Sequence, residues 1–220
     1  MLDAAKNLLL VVSALFPIVN PLGNSPIFLA LTREYSPPDR RALARRVAVN
    51  SFFLLVGSYF VGTYILSFFG ISIPVVQVGG GLIVISTGWT MLKEPDGDDR
   101  SEMQREGQSQ DPFRQAFYPL TLPLTVGPGS ISVAITLGAN AVHHRGANLL
   151  TIPAAVIAAV LIAVSIYLCY AFADRLAQVL GATAMSVILR LSSFLLVCIG
   201  VQILWNGAST LLASLQVRAH

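Results

Sequence analysis

Three prolines recur within ten residues at two places in the chain, Pro17, Pro21 and Pro26, then Pro119, Pro123 and Pro128, each time in an apolar stretch. A proline inside a helix lacks the N–H that the i−4 carbonyl needs, and its ring collides with the preceding turn. It also steers the residue before it out of the helical region. With Gly23 or Gly127 among them, the prolines predict two helix–break–helix segments, broken near residues 20–25 and 122–127. Backbone groups freed at such breaks cannot be satisfied by lipid, so they persist only when buried in protein or lining a polar cavity. The breaks are therefore where a polar ligand can be met.

The chemistry at a broken helix comes mainly from the backbone. Pro26 and Pro128 are suited to be the first residues of the second half-helices. The following N–H groups, those of Gly129, Ser130 and Ile131 in the second case, would then meet a carboxylate at the positive dipole end. The carbonyl ends near Asn20 and Leu122 suit an ammonium or another cation. Two such breaks facing each other would hold a small zwitterion with almost no charged side chain. The candidate substrate-binding residues are Asn20, Pro21, Gly23, Asn24, Ser25 and Pro26 in the first half. Those of the second half are Thr121, Thr125, Gly127, Pro128, Gly129 and Ser130. Asn20 and Asn24 carry two readings, orienting a ligand or capping the broken ends and bonding across helices.

Other chemistries lack their residues. None of the 11 acidic residues lies deep in an apolar stretch, and His143, His144 and His220 lie outside as well. A buried carboxylate or histidine relay is absent. So are a Ser–His pair, paired aspartates and a zinc motif, which argues against an enzyme, a metal site or a bound cofactor. A coupling cation or proton, if transport uses one, would be held by backbone carbonyls and neutral oxygens. Asp96, Asp98 and Asp99 lack the ligand spacing of a calcium loop.

The elements that must position the breaks are membrane spans. Of the 220 residues, 55% are hydrophobic and 11% charged, with mean hydropathy +0.70, whereas a water-facing domain needs roughly a quarter charged. Apolar stretches at 8–31, 47–69, 75–92, 116–141, 149–173 and 187–212 reach or approach the roughly 20 residues that cross a bilayer. The first is read as a retained span, because it has no clean cleavage site. If all six cross, 11 of the 14 Lys and Arg residues share one side, and the positive-inside rule puts both termini outside the cytoplasm. If stretches one and four were re-entrant, the count becomes 12 against 2 with the termini inside. No basic face interleaved with aromatics points to nucleic acid. The lipid bilayer is the expected partner, and the oligomeric state is left open.

The halves repeat. A shift of 102 residues lays Pro17, Pro21 and Pro26 on Pro119, Pro123 and Pro128, and a shift of 112 lays Gly88 on Gly200. Three spans per half make the repeat inverted, a plan common among secondary transporters. The expected fold is an all-α membrane protein of six transmembrane helices in two inverted three-helix repeats, with helices 1 and 4 broken at the proline motifs. The repeats cover 1–93 and 113–220, joined by a polar cytoplasmic linker at 94–112. Around this frame, Ser36–Pro37–Pro38–Asp39 reads as a capped helix start. Gly79, Gly80 and Gly81 read as a close-packing face or a flexible gate. Cys169 and Cys198 read as small packing residues. Arg190 reads as a snorkelling arginine paired with Asp174, or as a gating residue.

The motifs NPLGNSPIFLALT (20–32), FGISIP (69–74), GGGLIVISTGWTML (79–92), PLTLPLTVGPGSI (119–131) and RLSSFLLVCIGVQILWNG (190–207) resemble the MarC family along nearly the whole chain. That resemblance implies a multi-pass protein of the prokaryotic cytoplasmic (inner) membrane. Some members, the SnatA type, transport small neutral amino acids such as glycine and alanine. Carried onto this chain, the substrate site falls at 20–26 and 125–130. Asn20 stands where many relatives have Asp, which bears on ion coupling. The expected function is a secondary transporter of small neutral amino acids. The alternative is a channel or a broad-specificity exporter of small metabolites or drugs.

Overall fold

The computed structural model describes residues 2–93, 112–145 and 151–218, and these are helical throughout apart from short turns. The linker residues 94–111 lie outside the described residues. Among the described residues, eight α-helices follow in order: α1 (Leu2–Val19), α2 (Pro21–Leu31), α3 (Pro37–Phe68), α4 (Ile73–Lys93), α5 (Pro112–Phe117), α6 (Pro128–Arg145), α7 (Thr151–Ala171) and α8 (Ala173–Arg218). A π-helical turn, Leu120–Thr125, separates α5 from α6.

Among the described residues, five segments are long and apolar enough to cross a membrane: Lys6–Leu31, Pro37–Phe68, Ile73–Lys93, Ile152–Ala171 and Thr183–Ser214. The pair Gln115–Thr125 and Pro128–Ala141 makes a sixth if counted as one span, but it bends by 71°. The last helix begins earlier than its apolar stretch. It runs from Ala173 through a kink at Gly181, whose φ of 73° is available to glycine without strain.

The apolar core is built where α1, α3, α6 and α7 meet. Val11, Leu15 and Val19 of α1 pack with Leu43, Val47 and Leu55 of α3, Val133 and Ala134 of α6, and Ala158, Ile162 and Ile166 of α7. Small residues on α6 and α7 let the larger ones approach. Large apolar residues such as Phe53, Tyr64, Leu161, Leu195 and Trp205 are exposed, as expected of a surface that faces hydrocarbon.

The α4–α8 pair packs through glycines. A Cβ on Gly81 would sit 2.6 Å from the Leu204 nitrogen and 2.8 Å from the Gly200 carbonyl. One on Gly88 would sit 2.8 Å from the Ser193 carbonyl, and one on Gly207 2.6 Å from the Pro74 carbonyl. The two backbones touch, which only small residues allow. Residue numbers rise on one helix as they fall on the other, so the pair is antiparallel. Gly80 faces Ser132 of α6, whereas Gly79 has open space around its Cβ position. Two of the three consecutive glycines thus serve packing. Cys169 packs on the core, but Cys198 is exposed, so the packing role expected of it does not hold.

At the end of the bundle where α2 stops and α3 starts, Ser36 caps α3 and accepts from the Asp39 N–H. Arg40, buried on the first turns of α3, donates to the carbonyls of Thr32 and Tyr35 and pairs with Asp174. It therefore joins the negative end of α2 to the first turn of α8, where a carboxylate is itself favoured. The expected partner of Asp174 was Arg190; the ion pair formed instead is with Arg40. Sequence spacing suggested a neighbour within the same half, but folding brings the ends of α2, α3 and α8 together. Burial, with the Glu34 carboxylate second, pushes the Tyr35 phenol above its ordinary range. It stays protonated and donates to Gln115, tying this end to α5.

Candidate functional site

The first break is one residue wide. Asn20 adopts the left-handed conformation, φ 47° and ψ 59°, between α1 and α2. Asparagine tolerates this region better than most residues because its short polar side chain bonds locally. Here Oδ1 accepts from the Gly23 N–H at 3.1 Å. A Cβ on Gly23 would lie 2.3 Å from the Asn20 amide, so the cap requires glycine at that position.

Two sequence expectations change here. Pro21, not Pro26, starts the second half-helix, and Pro26 lies inside α2. The physical reason is beside it. Pro26 cannot donate to the Leu22 carbonyl, but the Ser25 hydroxyl does so at 3.0 Å, and the helix continues. Pro17 likewise lies within α1. The break is therefore narrower than the 20–25 segment that three prolines suggested.

The second break is wider. Pro123 cannot supply an N–H to the Pro119 carbonyl, and Leu124 does so one residue later at 3.3 Å. That i→i+5 step makes the π-turn. The Val126 N–H reaches the Thr121 carbonyl at 2.8 Å in the same register. Threonine hydroxyls complete it: Thr121 donates to the Ala116 carbonyl at 2.6 Å and Thr125 to the Leu120 carbonyl at 2.7 Å. Leu122 has extended dihedrals within the turn, Val126 is extended after it, and α6 starts at Pro128 as expected. The Tyr118–Pro119 and Leu122–Pro123 bonds are cis. Ile131 does not offer its N–H to a ligand, because that group already reaches the Gly127 carbonyl at 3.1 Å. The Ser130 hydroxyl also returns to the Gly127 carbonyl, at 2.9 Å. Gly129 and Ser130 are left as the first-turn N–H donors. Gly129 is also a close contact, since a Cβ there would meet Val84 of α4 at 2.1 Å.

The breaks meet. The Asn24 amide donates to the Val19 carbonyl at the first break and to the Leu124 carbonyl at the second, both at 3.0 Å. Asn50 of α3 reaches the Thr121 hydroxyl at 3.4 Å. Of the candidate residues, Asn20, Pro21, Gly23, Asn24, Ser25, Thr121, Thr125, Gly129 and Ser130 are buried, Pro26 and Gly127 are half-buried, and Pro128 is exposed. In the first half only Asn20 is at the break itself, with Pro21, Gly23, Asn24, Ser25 and Pro26 following on α2; in the second half the candidates lie in the π-turn or in the connection to α6 and its first turn. Other deep polar groups stay away: Ser86, Thr87 and Gln202 are exposed on α4 and α8. Gln202 bonds to Asn206 along its own helix.

Sequence reading missed a brace behind the site. Tyr170 of α7 is fully buried, its hydroxyl lies 2.9 Å from that of Thr125, and its ring stacks on Phe28 of α2 with centroids 4.4 Å apart. It thereby ties the half-helix of one break to the turn of the other. The available signal was a tyrosine pair, Tyr167 and Tyr170, in an apolar run; a tyrosine hydroxyl needs a partner when buried.

Long apolar helices and proline breaks that meet in the interior define a multi-pass integral membrane protein. The chain belongs to the MarC family: the family described as MarC family integral membrane protein matches residues 5–212. It is 32% identical over 216 residues to the inner membrane protein MarC of Salmonella typhimurium, covering 94% of this chain and 96% of that one. It is also 32% identical over 197 residues to the membrane protein YvbG of Bacillus subtilis, covering 88% and 90%. No solved structure matches the chain.

Proposed function

We propose that this protein is a secondary transporter of small neutral amino acids, glycine- or alanine-like zwitterions, in the bacterial inner membrane. The observation that carries the reading is the Asn24 amide, bonded to carbonyls of both breaks at once. A ligand that displaced or joined this amide would contact both halves of the chain. Its carboxylate would take the first-turn N–H groups of Gly129 and Ser130, and its ammonium the carbonyls around Val19 and Leu124. No charged side chain is among the 12 candidate residues, which favours a ligand with no net charge over an ion alone. Amides, hydroxyls and backbone dipoles bind rather than transform, so the reading is of transport and not of an enzyme.

We read the two halves as inverted three-helix repeats with both termini outside the cytoplasm. The matched proline spacing and the antiparallel α4–α8 pair favour it, since inversion requires the third span of each half to run oppositely. The inner-membrane names of the relatives support the compartment.

Purified protein in liposomes preloaded with glycine or alanine should drive saturable counterflow of the labelled amino acid. No counterflow across a panel of neutral amino acids would sink the proposal. Flux that never saturates would favour a channel.

A further inference from the structure

Among the described residues, four buried side-chain polar atoms find no hydrogen-bond partner: Asn7 Nδ2, Asn20 Nδ2, Ser51 Oγ and Tyr59 Oη. Their residues are 8%, 7%, 0% and 8% exposed. All four lie on α1, at its junction with α2, or on α3. Each is costly in an apolar interior unless something polar reaches it. Their confinement to two helices asks for one explanation.

Helices α1 and α3 each pack on α6 and α7 but barely on one another. They form two sides of a seam with α6 and α7 as its floor. Across it the Asn7 amide lies against the Tyr59 hydroxyl without completing a hydrogen bond in good geometry. Along α1, thirteen residues, about 20 Å, separate Asn7 from Asn20; along α3, eight residues, about 12 Å, separate Tyr59 from Ser51. Between them stand Val11 and Leu15 on α1 and Leu55 on α3, each at most 2% exposed. The order along the seam is polar, apolar, polar.

We propose that this seam is the access route between the two breaks and the membrane face opposite Arg40, Arg41, Arg45 and Arg46. Asn7 and Tyr59 form its mouth, Val11, Leu15 and Leu55 its apolar closure, and Ser51 and Asn20 its inner end. The mouth offers an amide donor and a hydroxyl, which suit the carboxylate of a small zwitterion arriving with water. The assignment rests on the transport reading above.

The test pairs residues at equal depth. In the full chain with Cys169 and Cys198 replaced by alanine, Asn7→Cys is compared with Leu9→Cys, and Ser51→Cys with Phe53→Cys. Leu9 and Phe53 are exposed on the same two helices, at 68% and 66%. The probe is a membrane-impermeant quaternary-ammonium methanethiosulfonate, applied to protein in liposomes. The seam residue of each pair should react at least tenfold faster than its lipid-facing neighbour, with Asn7→Cys faster than Ser51→Cys. Equal rates within both pairs would overturn the route, even if the protein exchanges glycine. Unequal rates in a protein that exchanges no neutral amino acid would uphold the route and sink the transport reading alone. A second measurement is glycine counterflow by Tyr59→Phe and Asn7→Leu. The apparent KM should rise several-fold with the thermal midpoint unchanged, and an unaltered KM in both would count against the mouth.

Discussion

The two breaks share their proline spacing and differ in almost everything else. At the first, one left-handed residue separates α1 from α2, and Lys6–Leu31 still passes as a single span. At the second, a π-turn, an extended Val126 and Gly127 intervene, and the chain bends by 71°. The prolines are equal in what they remove, one N–H and the preceding residue's ease in the helical backbone region. The difference lies in who replaces the lost donor. At Pro26 the substitute is the Ser25 hydroxyl on the Leu22 carbonyl, and at the break the Asn24 amide takes the Val19 carbonyl, which the Gly23 N–H leaves by turning to Asn20 Oδ1. Around Pro123 the substitute is the next backbone N–H, and the register slips by one. Proline decides that a helix is wounded; its neighbours decide how wide the wound is.

That comparison can be broken at three points. The largest effect is expected from Asn24→Leu, which strips both breaks of a shared donor and strands the Val19 and Leu124 carbonyls. At about 1–2 kcal/mol for each buried carbonyl left unpaired, the loss is about 2–4 kcal/mol. It should appear as a clear drop in the thermal midpoint in detergent and abolish glycine counterflow. A midpoint within error of the parent would show that the breaks do not depend on each other.

Thr125→Val tests the second break alone. It keeps the shape and removes the hydroxyl shared by the Leu120 carbonyl and Tyr170. Hydrogen bonds between membrane helices average about 0.6 kcal/mol and reach about 1.7, so about 1–2 kcal/mol is expected. Tyr170→Phe should cost less, because stacking on Phe28 survives. The double variant should lose less than the sum of the two, as expected for partners in one network; strict additivity would dissolve the brace. Smallest is Ser25→Ala, at about 1 kcal/mol or below. It should act by loosening α2 around Pro26, seen as faster amide exchange at residues 22–27 with little change in the midpoint. Unchanged exchange would mean that the Ser25 hydroxyl does not splint the helix.

The breaks were legible in the sequence because a missing N–H is a local fact, and three prolines in an apolar run state it three times. Their widths were not. The sequence does not reveal whether Ser25 or Leu124 will supply the substitute donor, because both depend on backbone paths that settle together. Asn20 and Asn24 carried two readings, and the fold gives them the capping and bridging role without excluding contact with a ligand. The spans were legible from length and composition. Arg40 was legible only as one basic residue in a cluster, because its partners come from the ends of α2 and α8. Tyr170 escaped notice because its two contacts are with residues 45 and 142 positions away, Thr125 and Phe28.

The pairing of Arg40 with Asp174 has an electrical consequence. The residues at the two breaks carry no charge, and the ion pair at the end of α2 is balanced within itself. A membrane potential does work of about 2.3 kcal/mol per elementary charge per 100 mV, and here it finds nothing fixed to pull on around the breaks. A zwitterion crossing by this route would be electrically silent. Any current recorded during turnover would therefore count the ions travelling with the cargo, and its absence would mean that none do.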